Sequence, residues 1–458
     1  MKNFNLAIIG AGPGGYPAAL LASQKGLKVL LVEKGNLGGV CLNSGCIPTK
    51  FLLHKSGIYQ DIKEAGSCGI ETDNLKLDYK KLKEKKDALV SSLRKGVEFL
   101  LKKRGVVVVK AEAEIISENT LLLKYGGSEE AVKVDNIIIA AGSHPVELKG
   151  LEFNGRDIVS SESILGLESL MKSLLIVGGG VIGVEFAEHF VRLGVKVYLV
   201  EAMNRILPKE DIGVSKILEA ALKKAGIDIY TSTKVEEINK EGGSLRAVLE
   251  NGVVLNCEKI LIAVSRKPNT SGLWRDLALD TELGFVKVNN RMQTSVKNIY
   301  AIGDVKGGFM LAHSASYEAK VAVNNILGNE ISADYSSIPM CIYTSPEIAV
   351  VGLNEEEAKN SGRNIKTAKF PFIASGKARA ISQTEGFVKL VADSDTKVLL
   401  GAQLVGPFVT ELISELTLAV KFKILYTELA EVVHPHPTLS EAIQEAIEIL
   451  NDTPINFA

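Results

Sequence analysis

The chain has 458 residues, 46% hydrophobic and 23% charged, with 53 Lys and Arg against 54 Asp and Glu. That length exceeds the ~250–300 residues a single core usually spans, so about three domains are expected. The balanced charge supplies no field for nucleic acid or an anionic membrane, and no run reaches the ~18 apolar residues of a membrane span.

In chain order, Leu6–Ile9 reads as a buried strand running into Gly10-Ala-Gly-Pro-Gly-Gly15. These glycines and prolines would break the helix of a secretion signal. A helical segment follows to Gly26, then strand Val29–Val32, then Glu33. With the first strand opening at about residue 4, no lipoyl-like or metal-binding module is expected ahead of it. Tyr79–Arg104 carries ten Lys and Arg, and Leu82, Leu89, Leu93, Val97 and Leu100 recur at helical spacing. This predicts a solvated helix with one apolar face, followed by a strand at Val106–Val109.

Strand Leu174–Val177 then opens a second copy of the first pattern. Gly178-Gly-Gly-Val-Ile-Gly183 begins 168 residues after Gly10, and leads through a helix to Gly194, strand Val197–Val200 and Glu201. First glycine to acid is 23 positions in both copies. In G-x-G-x-x-G the first glycine (Gly10, Gly178) permits the tight turn and the second (Gly12, Gly180) admits a pyrophosphate. The third (Gly15, Gly183) packs helix on strand, and the acid binds an adenosine ribose. The helix N-terminus turns unpaired N–H groups and a positive dipole toward the diphosphate. One such motif is weak evidence, but two at equal spacing predict two dinucleotides. Glu201 favours a free 2′-hydroxyl, hence NAD, and Arg205 four residues on leaves NADP as a minority alternative.

Between the copies lies Gly38-Gly-Val-Cys41-Leu-Asn-Ser-Gly-Cys46-Ile-Pro-Thr-Lys50. Five helical residues rise ~7.5 Å, too far for a disulfide, so a Cys41–Cys46 bond would need irregular backbone, which Gly45 and Pro48 can provide. A helix N-terminus would also lower a thiol pKa. The alternative is two ordinary buried thiols. Zinc is disfavoured, because no second Cys or His pair stands at finger-like spacing, and no metal site is expected. The remaining thiols, Cys68, Cys257 and Cys341, are isolated in sequence. Five uneven cysteines do not make an extracellular disulfide scaffold, so a soluble, cytoplasmic chain is expected. The pair follows the first cradle directly, which points to FAD in that cradle.

Near the C-terminus, His434-Pro-His436-Pro-Thr-Leu-Ser-Glu441 offers a proton acceptor that titrates near neutrality, with a carboxylate to orient it. Thr438-Leu-Ser-Glu441 is also a capping box for a terminal helix Leu439–Leu450, so Glu441 has a structural alternative.

Taken together, these segments resemble the pyridine nucleotide–disulfide oxidoreductases, over essentially the whole chain and most specifically the branch that oxidises dihydrolipoyl groups. Further stretches carrying the resemblance are Ala141–Pro145, Ala301–Asp304, Leu311–Glu318 and Tyr343–Glu347. The fold implied is α/β: two Rossmann-like dinucleotide-binding domains plus a C-terminal α+β dimerisation domain. The implied limits are 1–145 and 270–340 for FAD, 146–269 for NAD and 341–458 for the dimer interface. The resemblance also implies roles. Cys46 would be the flavin-side sulfur and Cys41 the interchange thiol. Lys50 would approach the flavin, paired with Glu185, and Asp304 would hold the ribitol chain. Gly142 and Ala312 would be further cofactor-binding positions. His436, with Glu441, would serve the disulfide of the opposite subunit of a homodimer, and His313 would be structural. The implied reaction reoxidises dihydrolipoamide on a protein of a 2-oxoacid dehydrogenase complex or the glycine cleavage system. The sequence departs from the family at Val40, where a small hydroxyl residue is usual, and at Ser265 and Ala319, where glycine is usual. Alternatives are a glutathione-reductase-like enzyme, which Glu201 disfavours, and a non-catalytic, flavin-bound redox-responsive interaction protein.

Overall fold

The computed structural model describes residues 3–241 and 243–457. Two compact units emerge. The first comprises Met1–Leu52, Lys76–Leu170 and Val264–Ala333; the second comprises Leu53–Leu75, Met171–Ala263 and Asp334–Ala458.

In the first unit, parallel strands lie in the order Val107–Lys110, Val29–Glu33, Asn3–Ile9, Glu129–Ile139 and Ile299–Ala301. The central strands read as near-continuous apolar runs because helices and further strands cover both faces; Leu6, Ala7 and Ile8 are fully buried. Two antiparallel strands, Thr120–Lys124 and Glu112–Ser117, extend the sheet from the first half of Glu129–Ile139. Helix Gly15–Gln24 makes the crossover between the first two parallel strands, and helix Ala312–Ile326 packs beside it.

The second unit repeats the parallel motif. Strands Asp228–Tyr230, Lys196–Val200, Ser173–Val177 and Lys259–Ile262 pair in that order, with helix Val181–Arg192 as the crossover. Both crossover helices stop two residues before a glycine of positive φ, Gly26 (φ +89) and Gly194 (φ +87), so the copies share a stop signal. An antiparallel three-stranded sheet, Val235–Glu241, Ser244–Leu249 and Val254–Cys257, follows.

The C-terminal part of this unit is a five-stranded antiparallel sheet, in the order Met340–Ile342, Glu347–Gly352, Leu399–Gly406, Phe387–Asp393 and Ile365–Pro371. All eight residues of its middle strand are buried. Helices Val409–Phe422 and Glu441–Leu450 cover it, the second burying Ala442, Ile443, Ala446, Ile447 and Leu450 along one stripe. Lys389 of this sheet reaches Asp211 (2.9 Å) and Glu355 (2.8 Å), with the Lys389 and Asp211 side chains largely buried and Glu355 half-buried.

Two expectations shift. The basic helix spans Tyr79–Lys103, but its buried stripe is Tyr79, Lys86, Val90, Val97 and Leu101, whereas Leu93 and Leu100 are exposed. The reason is Lys86: its ammonium is satisfied by the Leu165 carbonyl (2.5 Å) and by Asp87 (2.9 Å), so a lysine occupies the inner face. The terminal helix starts at Glu441 rather than Leu439, with Glu441 engaged in the preceding turn.

Gly386, at φ +112, offers a direct test of the C-terminal sheet: a Cβ there would lie 1.9 Å from the Val405 carbonyl oxygen. Gly386→Ala is expected to destabilise the protein by on the order of 3 kcal/mol, read as a lowered denaturant midpoint in an equilibrium melt.

Candidate active site

The two glycine-rich turns are built alike. A Cβ on Gly15 would fall 1.8 Å from the Gly10 carbonyl oxygen, and one on Gly183 would fall 1.9 Å from that of Gly178. Only glycine lets helix and strand approach so closely at the third position. The middle position is the opposite case: a Cβ on Gly180 would meet nothing within 4 Å, and one on Gly12 nothing nearer than 3.8 Å, at Gly39 Cα. The space over each turn therefore lies open, as a diphosphate requires. Neither helix has a side chain capping its N-terminus, which leaves backbone N–H groups to face an anion.

The two acids behave identically as well. Glu33 accepts hydrogen bonds from the Ala11 (2.7 Å) and Gly35 (2.7 Å) amides, and Glu201 from the Gly179 (2.6 Å) and Met203 (2.8 Å) amides. Each acid thus ties the second strand to the glycine turn. Arg205 is spent within its own loop, donating to the Pro208 (2.7 Å) and Glu210 (3.4 Å) carbonyls. That reduces its call on a 2′-phosphate.

The cysteine segment is two helices, Gly39–Ser44 and Cys46–Glu64, broken at Gly45. A Cβ at Gly45 would come within 3.0 Å of the Val40 carbonyl and 3.2 Å of Cys41 Cα, a crowded spot that glycine relieves. It supplies the irregular backbone that a Cys41–Cys46 bond needs. Both residues are thiols here, and Cys41 is pushed far above the ordinary thiol range, first by its side-chain hydrogen bond with Cys46 and then by burial. The Lys50 charge acts against this shift. The segment seats directly on the first turn. The Gly38 amide donates to the Ala11 carbonyl (2.9 Å), and a Cβ on Gly39 (φ +60) would lie 2.5 Å from Gly12 Cα. Tyr16, on the cradle helix, is raised by burial and then by Cys41, which puts its hydroxyl in the field of the pair.

Around the same cradle, Asp304 stands in the short Gly303–Lys306 turn after strand Ile299–Ala301. It accepts from the Ser143 hydroxyl (2.5 Å), and Arg266 donates to the same hydroxyl oxygen (2.7 Å) and to the Ser143 carbonyl (2.8 Å). Sequence reasoning singled out Asp304 but gave no role to Ser143, within the Ala141–Pro145 stretch, or to Arg266, which lie 161 and 38 positions away. Gly142 has positive φ (+71) and open space where a side chain would be, while Ala312 opens a helix with no side-chain cap. These residues fit a flavin dinucleotide laid over the first turn.

In the second unit, Glu185 is buried on helix Val181–Arg192 and accepts from the Tyr343 amide (3.1 Å). The C-terminal loop holds two His–Glu pairs of contrasting character. His434 is buried, its Nε2 2.9 Å from Glu415, and that hydrogen bond raises its pKa. The resulting stabilisation is present below the ordinary histidine pKa and fades as pH rises through the raised value. His436 is 79% exposed, its Nδ1 2.7 Å from Glu441 Oε1, while Glu441 Oε2 accepts from the Thr438 amide (2.8 Å). One carboxylate performs both tasks, orienting the imidazole and holding the turn that leads into the terminal helix. Burial raises the Glu441 carboxyl, but the hydrogen bonds from His436 and Thr438 outweigh it and hold it below the ordinary range. His313 is exposed near the start of its helix.

Two dinucleotide cradles and a thiol pair seated on one of them define a disulfide-handling, nucleotide-dependent flavoprotein. The chain belongs to the pyridine nucleotide-disulphide oxidoreductases: that family's model matches residues 4–319, and the model of its dimerisation domain matches 338–447. It is 42% identical to a dihydrolipoyl dehydrogenase of Bacillus subtilis (strain 168), over 99% of each chain. It is also 42% identical to one of Thermus scotoductus, over 100% of this chain and 99% of that one. Among solved structures, LpdA from Mycobacterium tuberculosis superposes with a TM-score of 0.92 at 25% identity, covering 98% of this chain and 100% of that one. The HOCl-induced flavoprotein disulfide reductase RclA from Escherichia coli, as its Cu(II) complex, gives 0.88 at 28% identity, covering 98% and 100%. The cofactors of the family are FAD and NAD. Among the described residues, no helix is long and apolar enough to cross a membrane.

The paired glycines make separable predictions. Gly183→Ala should unfold or strongly destabilise the protein, by steric conflict. Gly180→Ala should leave the melting temperature within about 2 °C, a surface-scale change, while weakening NADH binding measured by fluorescence titration.

Proposed function

We propose that the chain reoxidises protein-bound dihydrolipoamide as an NAD-dependent dihydrolipoyl dehydrogenase of the cytoplasm. The thiol pair at the Gly45 helix break, seated on the first glycine turn, carries this reading. Residues 1–145 and 270–340 would bind FAD, 146–269 NAD, and 341–458 would form the homodimer interface. FAD would rest on Gly10, Gly12, Gly15, Glu33, Gly142, Asp304 and Ala312, with Lys50 and Glu185 toward its reactive edge. NAD would rest on Gly178, Gly180, Gly183 and Glu201. The partners are lipoyl-bearing proteins of a 2-oxoacid dehydrogenase complex or the glycine cleavage system.

The chain's own chemistry is thiol–disulfide exchange. His436 Nδ1 is occupied by Glu441, so Nε2 is the nitrogen that takes the substrate thiol proton, and Glu441 stabilises the imidazolium that forms. The thiolate bonds to Cys41, the Cys41–Cys46 bond breaks, and Cys46 leaves as a thiolate. The second substrate thiol then displaces Cys41, releasing the lipoyl disulfide and a reduced pair. Bound FAD supplies the two-electron route from that pair to NAD. His436 projects into solvent, which supports a base acting on the disulfide of the other subunit.

His436→Ala should lower NAD reduction by dihydrolipoamide on the order of 10²–10⁴-fold, while NADH oxidation by an artificial acceptor stays near wild type. Equal loss of both would remove His436 from its role. A second assay, NADPH oxidation with glutathione disulfide, should give negligible turnover; a dominant rate there would favour the glutathione-reductase-like alternative.

A further inference from the structure

Helix Val181–Arg192 carries a second buried carboxylate that the reaction above does not use. Glu188 is 3% exposed, one turn on from Glu185. The two grip alternate amides of one short segment that bends between strands Met340–Ile342 and Glu347–Gly352: Glu185 accepts from Tyr343, and Glu188 accepts from Ser345 through both oxygens (2.8 and 2.9 Å). Acids at i and i+3 share one helix face, so both can engage that segment together. Glu188 also pairs with Arg192 at 2.6 Å. Arg192 in turn donates to the Leu53 carbonyl (3.4 Å), on the helix Cys46–Glu64 that begins with the second redox cysteine. Lys63 of that helix returns a contact to the Arg192 carbonyl (3.4 Å).

We propose that Glu188 and Arg192 form a positioning clamp that holds the far half of the redox helix and the Tyr343–Ser345 segment to helix Val181–Arg192, and so steadies the helix that Cys46 begins and, separately, the placement of Glu185. The proposal rests on the disulfide-oxidoreductase reading. Removing Glu188 would leave the half-buried Arg192 guanidinium without its carboxylate partner and the Ser345 amide without its acceptor, so the helices would shift rather than merely loosen.

The clamp responds to pH. Burial raises the Glu188 carboxyl to about 7; Arg192 and the Ser345 amide pull it down, whereas Glu185, and Glu347 from the C-terminal sheet, push it up. Glu347 is itself raised by burial and held by Thr410 of helix Val409–Phe422. A carboxyl raised from its unfolded value costs stability as pH climbs through the interval between the two values. The ionised form, which completes the pair with Arg192, therefore predominates only above about pH 7.

Holoenzyme carrying Glu188→Gln tests this, with Glu188→Asp as the conservative partner and Glu188→Gln/Arg192→Leu to remove both charges should the single variant fold poorly. In Glu188→Gln, the kcat of dihydrolipoamide oxidation is expected to fall about ten- to a hundredfold, the effect of a small misplacement, with KM within about twofold. The long-wavelength thiolate–flavin absorbance after NADH reduction should weaken per bound FAD. Wild-type acceptor-linked NADH oxidation is expected to rise as pH climbs through about 7; that rise should be absent from Glu188→Gln, and Glu188→Asp should restore part of each. Wild-type kcat and pH profile in Glu188→Gln would overturn the clamp, as would losses that merely track FAD content with unchanged absorbance per flavin. Absence of dithiol turnover in the wild type would instead count against the lipoyl reading, and the absorbance measurement would still decide the clamp.

Discussion

The site depends on a contact between two backbones. Gly39 Cα and Gly12 Cα approach so closely that a Cβ on Gly39 would sit 2.5 Å from Gly12. With the Gly38–Ala11 hydrogen bond, that contact seats the cysteine segment on the turn that would carry the flavin diphosphate. A second glycine, Gly45, breaks the helix so that two thiols five residues apart can meet. Neither effect involves a functional group. Both follow from removing a Cβ where chains must nearly touch.

The duplicated cradle shows one structural solution used for two ligands. In each copy the acid after the second strand holds an amide of the glycine turn, the third glycine meets the carbonyl of the first, and the helix stops at a positive-φ glycine. The copies differ in what surrounds them. The first adjoins the cysteine segment and the Ser143–Arg266–Asp304 network, whereas Arg205 near the second is tied into its own loop. Chemical identity therefore resides in the neighbours of the cradle, while the cradle itself provides a generic diphosphate seat.

Much of this was legible in the residues. Strand, turn, helix and acid were readable because their periodicities and glycine spacing are local. The His436–Glu441 pair was readable for the same reason, its members being five positions apart. What escaped was inner-face chemistry. Lys86 sits in a buried stripe because the Leu165 carbonyl, 79 residues away, accepts a hydrogen bond from its ammonium. Glu188 carries no sequence signal of its own, because the Ser345 amide it holds lies 157 positions away.

The amino-acid sequence alone determined the two cradles, the thiol pair and the histidine loop, because each is a short run whose residue types and spacing are dictated by backbone geometry. Tertiary structure alone decided that Asp304 meets the Ser143 hydroxyl, that Lys86 reaches the Leu165 carbonyl, and that Glu188 holds the Ser345 amide. These outcomes turn on which donors reach a carboxylate or carbonyl once the chain has packed. Hydrogen-bond partners far apart in sequence leave no periodic trace, since only folding brings them within 3 Å or so of each other.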